Sequence, residues 1–177
     1  MPDAWRLLSS TIAFDSPWIR VRQDRVRLPN GLELDDYYVV EQFAFVTVFP
    51  ITDDGRVLFV REYKHGAGRV LLQLPAGFVD PGEDPAEAAA RELREETGYA
   101  GELRQVAEWV VDPTRTPTIE YIYFGRVAPA GEQRLEQTED IELVLVPVAD
   151  VPALITSGEL MALSSVAAAL HCLPLID

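Results

Sequence analysis

The pattern of apolar and polar positions changes twice along the chain. Arg6 to Ala13, Ile19 to Leu28 and Glu33 to Glu41 read as short strands broken by turns, with Pro29-Asn30-Gly31 between the second and the third. Asn-Gly between two alternating runs favours the positive backbone angles of a tight hairpin, so this stretch predicts a small antiparallel sheet. Denser apolar runs follow. Phe43 to Ile51 and Arg56 to Tyr63 flank the turn Asp53-Asp54-Gly55 and are rich in Val and Phe, as strands covered on both faces are. Val70 to Leu74, Glu102 to Val111, Thr118 to Ala128 and Ile141 to Val148 predict further strands, and Pro75-Ala76-Gly77 turns the chain sharply after the first of them.

One helix interrupts this run of strands. Asp84 is a good N-cap, Pro85 suits the first helical position, Glu87 completes a capping box, and Gly98 ends the helix in a left-handed conformation. Ala86, Ala89, Ala90 and Leu93 predict an apolar stripe packed inward, leaving the glutamates to face a cleft. Asp150 to Ile155 predicts a short helix, and Met161 to Cys172 a closing one. A helix set between sheet elements predicts an α/β sandwich.

The same helix carries the chemistry. At about 100° per residue, Glu92, Glu95 and Glu96 fall within one narrow arc. Like charges three and four residues apart repel, so a cation that neutralises them explains their company. Carboxylates with no thiol or imidazole nearby suit hard ions, Mg²⁺ or Mn²⁺, rather than Zn²⁺. The alternative is a solvated acidic face; the flanking glycines, Arg91 and a further carboxylate, Glu83, weigh against it.

From Gly77 to Tyr99 the chain resembles the signature of the Nudix hydrolases, in which Gly, five residues, Glu, seven residues and Arg-Glu-bulky-x-Glu-Glu-x-Gly-bulky form a loop, helix and loop. Gly77, Glu83, Arg91, Glu92, Leu93, Glu95, Glu96, Gly98 and Tyr99 meet every position, with Tyr99 where an aliphatic residue is usual. The resemblance implies hydrolysis of a nucleoside diphosphate linked to another moiety, with divalent metal and a water nucleophile. It implies that Glu92, Glu95 and Glu96 hold metal with Glu83 near it, that the Ala76 carbonyl faces the metal, and that Arg91 braces the carboxylates.

A narrower resemblance, to the ADP-ribose pyrophosphatase branch, rests on Val21 to Gly31, Val57 to Lys64, Leu72 to Gly77 and Glu139-Asp140-Ile141-Glu142. Three positions depart from that branch: Gln73 replaces a common Glu, the loop Asp112 to Pro117 lacks a glycine, and Gln137 stands where some members place a catalytic glutamate. The implied fold is an α/β/α sandwich around a mixed sheet, residues 43–177, preceded by an N-terminal antiparallel β arm, residues 1–42. In the branch that arm embraces a second subunit, which implies a homodimer.

Composition narrows the classes. With 177 residues, 48% of them hydrophobic, the chain can bury a full core. Fifteen basic against 29 acidic residues, a net charge of −14, argue against nucleic acid and anionic membrane as partners. The same field repels a polyanionic substrate, so metal and local arginines must reverse it at the site. A single cysteine, Cys172, allows no intrachain disulfide and fits a reducing compartment. Met1 to Arg6 lacks the basic start and apolar run of a secretory leader, so a cytoplasmic location is expected. No Gly-x-Ser-x-Gly elbow or Walker loop is present.

Arg61, Lys64 and Arg69 precede the box, where a guanidinium can hold phosphate bidentately; ordinary surface charge is the alternative for each. The resemblance favours Arg61 for the substrate. Arg115, in the 112–117 loop, and Glu120 after it are candidates for the distal phosphate or sugar and for a ribose hydroxyl. The water needs a base. Relatives recruit a glutamate from a distant loop, and among Glu132, Glu136, Glu139 and Asp140 the choice is Glu139, with Glu95 and Arg91 completing the catalytic set. The expected activity is Mg²⁺- or Mn²⁺-dependent cleavage of ADP-ribose or a close nucleoside diphosphate sugar. The rivals are a pyrophosphatase for another sugar nucleotide such as GDP-mannose, a non-catalytic ADP-ribose sensor, and an enzyme for oxidised nucleoside triphosphates.

Overall fold

In the computed structural model, which describes residues 3–176, the Asn30-Gly31 signal becomes the turn it predicts. Gly31 has φ 86° and donates its N–H to Leu28 O, while Leu28 N–H donates to Leu32 O. The turn joins β2 (Ile19–Arg27) to β3 (Glu33–Gln42), and β1 (Arg6–Asp15) pairs antiparallel with β2, giving the order β1-β2-β3.

Contact between elements divides the chain into two units. The first contains the residues up to Ala44 together with Trp109–Glu120. That second segment lies far from the arm in sequence and joins it by hydrogen bonds: Val40 N–H donates to Arg115 O at 2.7 Å, and the Tyr37 hydroxyl donates to Thr114 O. The sequence-based boundary at residue 42 does not foresee this segment. Within the unit Asp24 is buried, and it accepts from the Ser10 hydroxyl at 2.6 Å and from Arg22 Nε at 3.0 Å.

The second unit, Phe45–Glu108 with the chain from Tyr121 onward, is built on a seven-stranded sheet. Its strands are β4 (Phe45–Thr52), β5 (Arg56–Lys64), β6 (Arg69–Gln73), β7 (Ala76–Phe78), β8 (Tyr99–Val110), β9 (Ile119–Pro129) and β10 (Glu142–Pro147), in the order β10-β5-β4-β9-β8, with β6 on β5 and β7 on β4. β8 and β9 continue into the first unit at their Trp109 and Ile119 ends.

Side chains alternate across a strand, so Val46 and Val48 of β4 point one way and Thr47 and Phe49 the other. Val46, Val48, Leu58, Tyr123 and Val127 pack with Ala88, Ala89 and Leu93 of α1 (Pro85–Thr97) in one core layer. On the opposite face Phe49 stacks on Phe124, and α3 (Leu163–Cys172) packs on β4, where the Ser165 hydroxyl oxygen accepts from Leu74 N–H at 2.9 Å. The short α2 (Val151–Ser157) precedes α3. Helices on both faces of the sheet give the α/β/α sandwich expected from the sequence. Among the described residues no helix is long and apolar enough to cross a membrane.

Candidate active site

The ends of α1 form as its sequence dictates. Asp84 Oδ1 accepts from Ala86 N–H at 2.8 Å, Pro85 opens the helix, and Gly98 closes it at φ 72° with its N–H donated to Arg94 O. The stripe differs from the expected one. Ala86 and Ala90 are exposed, Ala88 is buried, and the inward line runs through Ala89 and Leu93 into Glu96, which is only 4% exposed. Three residues beyond Leu93, Glu96 shares its face, so the helix carries a carboxylate into the edge of the core.

The other carboxylates stand at graded depth. Glu92 is mostly covered, its side chain 13% exposed, whereas that of Glu95 is 41% exposed. Arg91 gathers them. Its Nε and Nη2 donate to the two oxygens of Glu83, both at 2.9 Å, Nη2 also donates to Phe78 O at 3.0 Å, and Nη1 donates to Glu92 Oε1 at 2.7 Å. Glu95 Oε2 lies 3.5 Å from the same Nη1. Glu83 is itself fixed in the preceding loop, where Asp80 N–H donates to its Oε2 and its own N–H donates to Asp80 O.

β7 brings backbone against this cluster. Thr47, Val46 and Phe45 pair with Ala76, Gly77 and Phe78, and Ala76 N–H donates to Glu96 Oε2 at 3.1 Å. Gly77 fits because it has no side chain: a Cβ there would stand 2.0 Å from Glu92 Cδ.

Burial and mutual repulsion dominate the electrostatics. Burial, with the Glu92 charge beside it, pushes the Glu96 carboxyl up to about 8. Burial also raises Glu92, against the pull of Arg91. Glu83 moves the other way, held below the usual carboxylate range by its hydrogen bonds from Arg91. Lys64 counters the rise at Glu96, and the Glu139 charge adds to it, so both lie near. Lys64 is ion-paired with Glu62. Glu62, which the sequence analysis does not single out, stands two residues before Lys64 on β5 and so on the same face.

Among the described residues no three of these carboxylates are already gathered as a ligand set, because Arg91 holds three of them. The donors nonetheless fit a hard divalent cation. They are oxygen only, and a buried carboxyl whose proton affinity is raised by an adjacent carboxylate is relieved by positive charge.

A cavity of about 330 Å³ is lined by Arg61, Glu62, Tyr63, Val70, Asp140 and Glu142. Arg61 pairs there with Glu142 at 3.2 Å and with Glu159 at 3.5 Å. Arg115 and Glu120 belong to the first unit, where Arg115 is exposed and Glu120 is 3% exposed on β9.

Fold and site together define a class. Residues 42–163 match the NUDIX domain and residues 5–40 the nucleoside diphosphate sugar hydrolase N-terminal domain. The chain belongs to the Nudix family of hydrolases. An ADP-ribose pyrophosphatase of Bacillus subtilis (strain 168) is 30% identical over 149 residues, covering 82% of this chain and 80% of the relative. An ADP-ribose pyrophosphatase of Mycobacterium tuberculosis is 32% identical over 148 residues, covering 80% of this chain and 70% of the relative. A crystal structure of an ADP compounds hydrolase superposes with TM-score 0.87 at 22% identity, over 99% of this chain and 95% of that one, a likeness of fold.

Proposed function

We propose that the protein hydrolyses the diphosphate linkage of ADP-ribose or a related nucleoside diphosphate sugar, releasing a nucleoside monophosphate and a sugar phosphate. One observation carries the reading: Glu83, Glu92 and Glu95 converge on Arg91 while Glu96 is sunk against Ala76, in a Nudix chain similar to two ADP-ribose pyrophosphatases.

Glu92, Glu95, Glu96, Glu83 and the Ala76 carbonyl would hold Mg²⁺ or Mn²⁺. Such an ion, when bound, neutralises charge developing on the phosphates and acidifies water. Arg91, through its bidentate pair with Glu83, anchors the helix to the preceding loop, and Glu92 and Glu95, which lie at its Nη1, would be the carboxylates to turn to the ion. Arg61 binds substrate phosphate. Its present partners, Glu142 and Glu159, are exposed, so exchanging them for a phosphate costs little. Glu139 takes the proton of the attacking water as the new P–O bond forms and the bridging P–O bond breaks, the leaving phosphate departing as an anion.

The residues up to 42 serve as an arm for dimerisation in a cytoplasmic homodimer. Leu7, Ile12 and Phe14 of this small sheet, and Trp18 in the bend between β1 and β2, are each more than half exposed, apolar area that a second copy would cover. Buried, unpaired Cys172 suits a reducing compartment.

A screen of nucleoside diphosphate sugars with Mg²⁺, reading phosphate released after phosphatase treatment, tests the activity. Turnover of ADP-ribose or a close analogue is expected. Binding without turnover across the panel would overturn the reading in favour of a sensor.

A further inference from the structure

The segment between β9 and β10 is stitched to the end of α1. A helix leaves its last carbonyls without intrahelical partners, and here the returning chain supplies them. Arg134 N–H donates to Glu95 O at 2.9 Å, Gln133 Nε2 donates to Glu96 O at 2.6 Å, and Ala130 N–H donates to Gly98 O at 2.8 Å. The approach is close enough that a Cβ on Gly98 would stand 2.5 Å from Gly131 O. The Gln133 amide has a second acceptor, Ile141 O at 3.4 Å, just before β10. One primary amide therefore spans both ends of the segment 134–140. Inside that span Glu139 closes a local turn, its Oε2 accepting from Glu136 N–H at 2.9 Å and its own N–H donating to Glu136 O at 3.1 Å.

We propose that Gln133 is a positioning residue for the reaction: its two amide N–H groups tie the feet of this loop to α1 and β10 and so set the reach of Glu139 toward the carboxylate cluster. The inference rests on the reading of Glu139 as general base. An amide suits the task because a single nitrogen carries two donors, one for each carbonyl. Glutamate of the same shape has no donor at neutral pH and would set a charge against two carbonyl oxygens. The local turn explains how the loop holds Glu139 before substrate arrives: Oε2 is held by the Glu136 N–H, and the other carboxylate oxygen keeps the capacity to accept a proton.

The test is a double-mutant cycle on the full chain with a nucleoside diphosphate sugar that the wild type cleaves. Glu139→Gln is expected to lower kcat by roughly 10²–10⁴-fold. Gln133→Ala is expected to lower kcat by about 10–100-fold, with KM and the Mg²⁺ half-saturation within about twofold of wild type, because a displacement near 1 Å of a reacting group costs of that order. Gln133→Asn, which keeps both donors on a shorter stem, should fall between. In the Glu139→Gln background Gln133→Ala should cost nothing more. Losses that multiply in the double variant, or wild-type kcat in Gln133→Ala beside a crippled Glu139→Gln, would overturn the inference while leaving the base assignment standing. Wild-type kcat in Glu139→Gln would instead refute the base, and the inference with it. Unfolding of both Gln133→Ala and Gln133→Asn would make the residue part of the fold alone and also overturn it.

Discussion

Replacing Gly77 by alanine separates the site from the fold. Gly77 does not adopt a positive φ, so alanine meets no backbone penalty and the effect is steric. The added Cβ would lie 2.0 Å from Glu92 Cδ and Oε1 and 2.4 Å from Oε2. Ordinary contact is about 3.5 Å, so the carboxylate must retreat by about 1.5 Å. It ends a flexible side chain and can move. The cost is an off-rotamer torsion, about 0.5–1.5 kcal/mol, and its hydrogen bond from Arg91, about 1.5–3 kcal/mol for a charged pair. Arg91 retains Glu83 and Phe78 O, which keeps the loop on the helix. With about 2–4 °C per kcal/mol for a chain of this size, Tm should fall by less than about 18 °C and the protein should remain folded at 25 °C. Displacing a ligand carboxylate by more than an ångström should cost at least about 10²-fold in kcat/KM and raise the Mg²⁺ half-saturation. Steady-state kinetics across a Mg²⁺ titration, beside calorimetry, measure both. Wild-type kcat/KM and Mg²⁺ dependence in Gly77→Ala would refute the placement of Glu92 in the reaction.

Further outcomes follow from the same geometry. The raised Glu96 carboxyl binds its proton more tightly in the folded chain than in the unfolded one, so its contribution is complete below about pH 4.5 and is lost as pH rises toward about 8. In chelator, Tm should therefore drop between pH 5.5 and 8, by up to about 5 kcal/mol of stability, and Mg²⁺ should restore it; a flat or rising Tm would contradict this. Glu96→Gln should be folded and nearly inactive, and in chelator at pH 8 more stable than wild type by calorimetry. Gly98→Ala should cost more than about 2 kcal/mol in denaturant unfolding, since it forces a left-handed φ of 72° and meets Gly131 O at 2.5 Å. Deleting the residues up to 42 should abolish solubility or dimerisation; a monomeric mass for the full-length protein in dilute solution would count decisively against the arm as an interface.

What the sequence made legible is what local chemistry decides. Asp84, Pro85 and Gly98 mark the ends of α1, and Asn30-Gly31 and Gly55 mark turns, because caps and positive φ angles restrict residue type at single positions. The face of α1 was less legible. Expecting every glutamate to point outward put Ala86 and Ala90 inside, whereas the core takes Ala88 and carries Glu96 with Leu93. β7 was read only as a turn, since three residues have no period of their own and are defined by pairing with β4. β8 begins at Tyr99 rather than at Glu102 because Gly101 admits the Arg126 carbonyl, to which a Cβ would stand 2.0 Å away, a contact written in no local pattern. Gln133 could not be found from sequence either, as its acceptor on Glu96 is 37 residues away.

The most direct test of the central claim is phosphorus NMR of the purified protein with ADP-ribose, in Mg²⁺ and in excess chelator, for wild type and Glu95→Gln. The account predicts that the diphosphate signals of the wild-type reaction give way to two phosphomonoester signals, AMP and ribose 5-phosphate, in Mg²⁺ only, with Glu95→Gln nearly silent. Equal conversion in chelator, or in Glu95→Gln, would contradict it.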